Sequence, residues 1–143
     1  MPRGGRRPYD VPGRYPPLLI AERYEPVRTP CAAYLNLLSF EVAEAAHAAE
    51  ATAIIAAGWW PAVIITDGES AEPVSGCLKT SNHAVAPQLI VMTGALEPRA
   101  QSSATLLLKP FRLTTMAQTV RRALRRAARE RVAPDRLIHA SDD

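Results

Sequence analysis

The sequence predicts an α/β protein built on a doubly wound, five-stranded parallel sheet with helices on both faces. Five short apolar runs, most of them without polar alternation, are typical of strands that are buried on both sides. Helical patterns separate most of these runs, and strands joined by helices form parallel sheets. The chain has 143 residues, which is enough for one such domain.

Each strand is predicted from a short apolar run that ends at polar or turn-forming residues. The second run alternates apolar and charged residues, which indicates a half-buried strand. The third run is the clearest, because it is rich in β-branched residues and ends at Asp67 and Gly68. The five predicted strands cover residues 18–21, 40–44, 62–66, 89–93 and 105–108.

Two helices are predicted in the first half of the chain. Thr29 is a good N-cap and Pro30 suits the first helical position, so a helix is predicted from there to about Ser39. An Ala-rich stretch over residues 46–57 favours a second helix, and Gly58 is expected to stop it.

Helices are less evenly distributed in the second half. Residues 68–87 contain two prolines and two glycines and leave room for one short helix. The last helix is predicted from Thr114 to Pro134, with six arginines between residues 121 and 131. A solvated outer face is the favoured interpretation of these arginines, and a contact with nucleic acid, an acidic partner or a membrane surface is the alternative.

The charge divides the chain into an acidic body and two basic ends. We expect a disordered, Arg- and Pro-rich arm over residues 1–17, one domain over 18–131 and a frayed tail over 132–143. The formal net charge of +3 consists of +3 in the arm, −3 over residues 18–113 and +3 over the remainder. This distribution argues against a basic nucleic-acid-binding domain. The absence of long apolar runs predicts a cytoplasmic protein with no membrane span or secretory signal.

Cysteines and histidines give no metal-binding pattern. Cys31 and Cys77 are not spaced as metal ligands or as a disulfide framework, so reduced thiols are expected. The three histidines, His47, His83 and His139, are isolated from one another in the sequence. A metal site built from these residue types is therefore not predicted.

Polar residues stand at the carboxyl ends of four of the predicted strands. Glu22 and Arg23 follow the first strand, Asp67 the third and Lys109 the fifth, and Thr93 ends the fourth. Ligands and reactive groups of open parallel sheets gather at the carboxyl ends of the strands. The sequence therefore predicts a site at this edge of the sheet.

The residues at these strand ends resemble the receiver domain of bacterial two-component response regulators. The resemblance spans about residues 18–130 and includes a Lys-Pro-Phe ending of the fifth strand at residues 109–111. It implies a flavodoxin-like fold with strand order 2-1-3-4-5 and a cis peptide between Lys109 and Pro110. The motifs in chain order are residues 18–28, 38–42, 61–67, 89–94 and 106–111.

The resemblance also implies a role for each strand-end residue. Asp67 would accept a phosphoryl group, Lys109 would supply a fixed positive charge, and Thr93 would donate its hydroxyl to a phosphoryl oxygen. A Mg²⁺ ion would be held by Glu22, Asp67 and the backbone carbonyl of Glu69. Charge stabilisation of this kind dominates phosphoryl transfer, and Mg²⁺ prefers such oxygen ligands.

This sequence departs from the family pattern at Arg23, which stands where the acid that touches the metal is expected. An arginine replaces an anionic ligand with a permanent cation, so we expect no cofactor or only weakly bound Mg²⁺. Arg23 could pair with Asp67 and hold the domain in one state, or it could turn into solvent. Both arrangements remain open at the level of the sequence.

Two further departures concern signal output. Leu106 stands where the family usually has an aromatic switch residue. The stretch between Thr93 and Lys109 is shorter than usual and contains Pro98, so the fourth helix is expected to be shortened or missing.

Three functions follow as hypotheses. The first is a stand-alone, atypical receiver of a phosphorelay that is not an enzyme and acts by protein–protein contact, with phosphorylation of Asp67 weakened or lost. The second is a working receiver that a histidine kinase phosphorylates on Asp67. The third is a nucleic-acid-associated protein that uses the basic last helix. The expected partners are a histidine kinase, a phosphotransferase or an effector, with a homodimer left open and neither membrane nor nucleic acid expected.

Overall fold

The structure is a computed structural model that describes residues 16–81, 85–94 and 104–142, without side chains from residue 130 onward. Five parallel strands form one sheet in the order β2-β1-β3-β4-β5, which confirms the predicted fold class and strand order. The strands are β1 (Leu18–Ala21), β2 (Val42–Ala45), β3 (Val63–Asp67), β4 (Gln88–Thr93) and β5 (Thr105–Leu108).

Helices cover both faces of this sheet. Among the described residues there are four, and none of them is long and apolar enough to cross a membrane. They are α1 (Glu25–Leu37), α2 (Ala48–Ala56), α3 (Gly68–Lys79) and α4 (Leu113–Asp142).

The sheet separates two apolar clusters. Leu18 and Ile20 point to the side that α1 and α4 cover, where Met116 and Val120 are fully buried. Leu19 and Ala21 point to the side that α2 and α3 cover. Because β1 is buried on both faces, it has no room for polar residues until the chain leaves the sheet at its carboxyl end.

The first helix begins earlier than predicted. It starts at Glu25 rather than Pro30, with Tyr24 as an extended N-cap and Pro26 in the first turn. A proline there costs no hydrogen bond, because the first N–H groups of a helix have no partner within it. Pro30 lies inside α1 and removes one hydrogen bond.

Two other predicted helix lengths are wrong. The segment after β3 forms the 12-residue helix α3 rather than a short one, because Asp67 caps it and Val74 packs into the core. The last helix continues past Pro134 to Asp142. A proline removes one hydrogen bond from a helix, and the hydrogen bonds of the flanking turns allow the backbone to continue.

Other local predictions have mixed outcomes. The cis peptide between Lys109 and Pro110 is confirmed. Gly58 follows α2 with a φ of 99°, a conformation that glycine adopts easily, so the predicted stop is confirmed. A further prediction is that the helix between β4 and β5 is shortened or missing. It falls on residues 95–103, which lie outside the described residues. Most of the predicted arm, residues 1–15, lies outside them as well, and the division into arm, domain and tail stays a prediction.

Candidate functional site

A pocket opens where the chain leaves the carboxyl ends of β1, β3, β4 and β5. The strand-end residues predicted from the sequence meet there, because parallel strands all end at the same edge of the sheet. Its lining consists of Glu22, Arg23, Tyr24, Asp67, Gly68, Glu69, Met92, Thr93, Gly94 and Lys109.

Asp67 is the last residue of β3 and the N-cap of α3. Its Oδ1 accepts a hydrogen bond of 2.7 Å from the backbone N–H of Ser70, and its Oδ2 accepts one of 2.9 Å from the backbone N–H of Arg23. The carboxylate is buried, so these two bonds replace the water that it loses. Both oxygens of Asp67 therefore hold the local structure together.

Arg23 lies over the mouth of the pocket between two carboxylates. Its Nε is 3.7 Å from Oδ2 of Asp67, and its Nη1 is 2.9 Å from Oε1 of Glu69. The Arg23 side chain is 58% exposed, so solvent screens both ion pairs. Of the two arrangements left open above, the structure has Arg23 beside Asp67, and the shortest contact of its side chain is to Glu69.

Glu22 is the most deeply buried acid of the pocket. Its Oε1 accepts a hydrogen bond of 3.1 Å from Nζ of Lys109, and its Oε2 accepts one of 3.0 Å from the backbone N–H of Tyr24. The Lys109 side chain is 30% exposed, whereas that of Glu22 is almost fully buried. The ammonium group of Lys109 thus neutralises the charge of Glu22. It donates its hydrogen bond to that carboxylate rather than to Asp67.

Thr93 and Lys109 are joined through the backbone. The N–H of Lys109 donates a hydrogen bond of 2.8 Å to the carbonyl of Thr93, which continues the pairing of β4 and β5 beyond the strands. Thr93 lines the pocket. Leu106, in contrast, is 44% exposed on β5 and is not part of the lining. The structure therefore brings together six of the seven predicted site residues.

The residues at the pocket do not fit a Mg²⁺ ion. Each carboxylate oxygen of Glu22 and Asp67 accepts a hydrogen bond from the chain, and a cation already lies beside every acid of the pocket, Lys109 at Glu22 and Arg23 at both Asp67 and Glu69. Three anionic groups that converge on an open position are also missing from the part of the chain that the structure describes. A guanidinium at this distance would in addition repel a divalent cation.

Sequence reasoning missed two contacts that shape the site. The Glu69 side chain binds Arg23, although only its carbonyl was predicted to matter. An acidic residue in the first turn of a helix that follows a strand-end Asp could have indicated it. Arg28 donates a 2.8 Å hydrogen bond to the carbonyl of Glu22 and lies 3.3 Å from Glu44, and no local sequence signal points to that pairing.

Cys31 lies in the core close to the Glu22–Lys109 pair. Burial raises the pKa of its thiol from 9.0 to about 11, with a further rise from the Glu22 carboxylate and a smaller opposing effect from the Lys109 ammonium. The thiol is therefore neutral at physiological pH and belongs to the core rather than to the pocket.

Comparisons with solved structures identify the fold. No model of a known protein family and no curated protein matches the sequence. The receiver domain of the hybrid histidine kinase CckA is 25% identical with a TM-score of 0.58, over 75% of this chain and 97% of that one. A CheY-like receiver domain from Methanospirillum hungatei JF-1 is 18% identical with a TM-score of 0.68, over 79% and 96%.

A third similar structure is the N-terminal domain of a response regulator with a sensory box and a GGDEF domain from Carboxydothermus hydrogenoformans. It is 19% identical with a TM-score of 0.67, over 79% of this chain and 97% of that one. The chain therefore has the response regulator receiver (CheY-like) fold, and the resemblance predicted from the strand-end motifs is confirmed at the level of the fold.

Proposed function

We propose that this chain is a receiver module of two-component signalling that acts by contact with other signalling proteins. In this proposal Mg²⁺-dependent phosphorylation of Asp67 is weakened or lost. The contacts of Arg23 are the observation that carries the proposal. Its backbone N–H donates a hydrogen bond to Asp67, and its side chain forms ion pairs with Asp67 and Glu69.

The chemistry of phosphoryl transfer explains why this position matters. The attacking carboxylate needs an available oxygen, and the transferred group needs a metal ion that neutralises charge. Here a backbone N–H donates a hydrogen bond to each oxygen of Asp67, and Arg23 supplies a cation that has no open coordination position. The metal-dependent step is therefore expected to be slow or absent.

The internal ion pairs also suggest how such a module would signal. Arg23 ties the end of β1 to Asp67 at the end of β3, and Lys109 ties the end of β5 to Glu22 after β1. These contacts would hold three strand ends in one arrangement without a phosphoryl group. A partner would then recognise one constant surface, and regulation would come from the availability of that partner.

Intact-mass spectrometry after incubation with Mg²⁺ and a small phosphodonor tests this proposal. The wild-type chain is expected to gain little or no phosphoryl adduct. The Arg23→Asp variant restores an anionic group at the metal position, so its adduct is expected to rise about tenfold or more, which corresponds to roughly 1.4 kcal/mol.

Two controls make the result specific. The Arg23→Asp, Asp67→Asn double variant is expected to lose the adduct, which would assign it to Asp67. The Arg121→Asp variant makes the same charge change on the exposed face of α4 and should leave the adduct unchanged. A wild-type adduct that disappears in Asp67→Asn alone would overturn the proposal.

A working phosphoacceptor is the second candidate. The observation that favours it is the presence of Asp67, Thr93 and Lys109 around one pocket. In that function Glu22 and water would hold the metal weakly, and Arg23 would have to move away from Asp67. The same experiment separates the candidates, because this one requires a Mg²⁺-dependent adduct on the wild-type chain.

A further inference from the structure

The outer face of α4 carries a dense positive charge that the pocket does not use. From Leu113 to Arg129 the helix contains five arginines and no acidic residue. One of them, Arg126, is half-buried and donates a hydrogen bond to Thr105. The other four are exposed: Arg121, Arg122, Arg125 and Arg129.

These four arginines have no acidic partner among the residues that the structure describes. The ion pairs found there all lie elsewhere, at Arg23, Arg28 and Lys109. In an ordinary solvated helix, acidic and basic residues alternate at a spacing of four and stabilise it. Here Arg121, Arg125 and Arg129 follow one another at that spacing, so each repels the next.

The rest of the helix surface restricts the kind of partner. The apolar face of α4 is already buried against the sheet through Met116, Val120, Ala123 and Ala127. Over the described side chains no apolar face thus remains for insertion into a lipid bilayer. Ala128 is the apolar residue exposed among the four arginines, so the face also lacks the large apolar anchor of a typical protein interface.

We propose that the outer face of α4 binds the phosphate backbone of a nucleic-acid duplex without sequence preference. Arg121, Arg125 and Arg129 rise along the helix by about 6 Å per step, which presents regularly spaced cations to a regularly charged partner. The guanidinium group can bind phosphate oxygens with two parallel hydrogen bonds. This activity is separate from the pocket and does not depend on the state of Asp67.

Fluorescence anisotropy with a labelled, mixed-sequence duplex of about 20 base pairs tests the proposal. Contact with about four phosphates predicts a slope of roughly −3.6 in log K against log salt, and on the order of a hundredfold weaker binding at 200 mM than at 50 mM salt. DNA and RNA duplexes of the same sequence form two arms, and saturable binding to either supports the proposal.

Substitutions assign the binding to the helix face. The double variant Arg121→Gln, Arg125→Gln is expected to reduce the slope by about 2 units, because each arginine accounts for about one. The variant Arg126→Gln is the matched control, since it removes one charge from the same helix but from a half-buried position, and it should retain nearly the full slope.

Three outcomes would overturn the proposal. They are the absence of saturable binding at 50 mM salt, an unchanged slope in the double variant, and tighter binding to polyglutamate or to phosphatidylserine vesicles than to either duplex. The Asp67→Asn variant should bind the duplex as the wild type does. A failure here therefore stays distinct from a failure of the phosphorylation experiment.

Discussion

The pocket and the outer face of α4 differ in whether their basic residues have acidic partners among the described residues. At the pocket Arg23 lies against Asp67 and Glu69, and Lys109 lies against Glu22. On α4 four exposed arginines lie near one another, and the described part of the chain offers them no carboxylate.

Burial explains this difference. A charged group that leaves water loses several kcal/mol of hydration, so a buried acid such as Glu22 needs a cation and hydrogen bonds within the chain. An exposed arginine keeps its water and needs no internal partner. The pairs that contain a buried acid, Glu22 with Lys109 and Asp67 with Arg23, therefore indicate what the fold requires. The exposed arginines of α4 are available to another molecule.

The largest effect is expected at Glu22, the most deeply buried acid of the pocket. Glu22→Gln removes the charge that Lys109 neutralises and places an amide donor beside two existing donors. Because Glu22 is buried and Lys109 can regain some water, we expect the free energy of unfolding to fall by about 2 to 3 kcal/mol. Urea denaturation of both proteins measures this difference.

The matched control is Glu72→Gln on the exposed side of α3. It removes the same charge from a residue without a described ion pair, so the change should stay within about 0.5 kcal/mol. If both variants lose the same free energy of unfolding, burial does not make the charge of Glu22 more important for stability than that of Glu72.

Asp67 gives the second effect. Asp67→Ala removes the cap of α3 and the acceptor for the N–H of Arg23, so a loss of about 1 to 2 kcal/mol is expected. Asp67→Asn keeps an oxygen that can cap the helix but turns an amide donor toward the N–H of Arg23, so it should lose less than Asp67→Ala does. Thermal unfolding measures both variants, and equal losses would mean that charge rather than capping makes Asp67 important for stability.

The fold was predictable because its signals are local and repeated. Each buried strand is an apolar run that ends at a turn, and five such runs in order left few possible arrangements. The convergence of Glu22, Asp67 and Lys109 followed from the topology alone, since the ends of parallel strands meet at one edge.

The contacts within the site were not predictable to the same degree. The sequence left open whether Arg23 pairs with Asp67 or turns into solvent, and its shortest side-chain contact is to Glu69, because a long side chain selects among neighbouring carboxylates by local geometry. The start of α1 was misplaced because Thr29 and Pro30 form a good cap, while the packing of the whole helix allows a start at Glu25. Such choices depend on tertiary contacts, which a single sequence does not specify.

The third effect depends on pH and involves Cys31. Its thiol has a higher pKa in the folded chain, about 11 against 9.0, so the folded state holds the proton more tightly. This stabilisation is complete below pH 9 and is lost as the pH rises from 9 through 11. Chemical denaturation at pH 8 and pH 10 measures this effect. Between these two pH values, the free energy of unfolding of the wild type should fall by about 1 kcal/mol more than that of Cys31→Ala. Parallel pH profiles of the two proteins would contradict this prediction.

The smallest change in the free energy of unfolding is expected on α4. It is an increase, whereas the substitutions at the pocket cause a decrease. Arg125→Glu places an acid four residues from both Arg121 and Arg129, so two repulsive pairs become attractive. The free energy of unfolding is expected to rise by about 0.5 to 1 kcal/mol, with about half of that in Arg125→Gln. Both variants should bind a duplex more weakly, and Arg125→Glu more so. A chain that becomes more stable as it loses affinity would show that the arginine face serves a partner at the expense of the fold, whereas unchanged stability would mean that solvent already screens the repulsion.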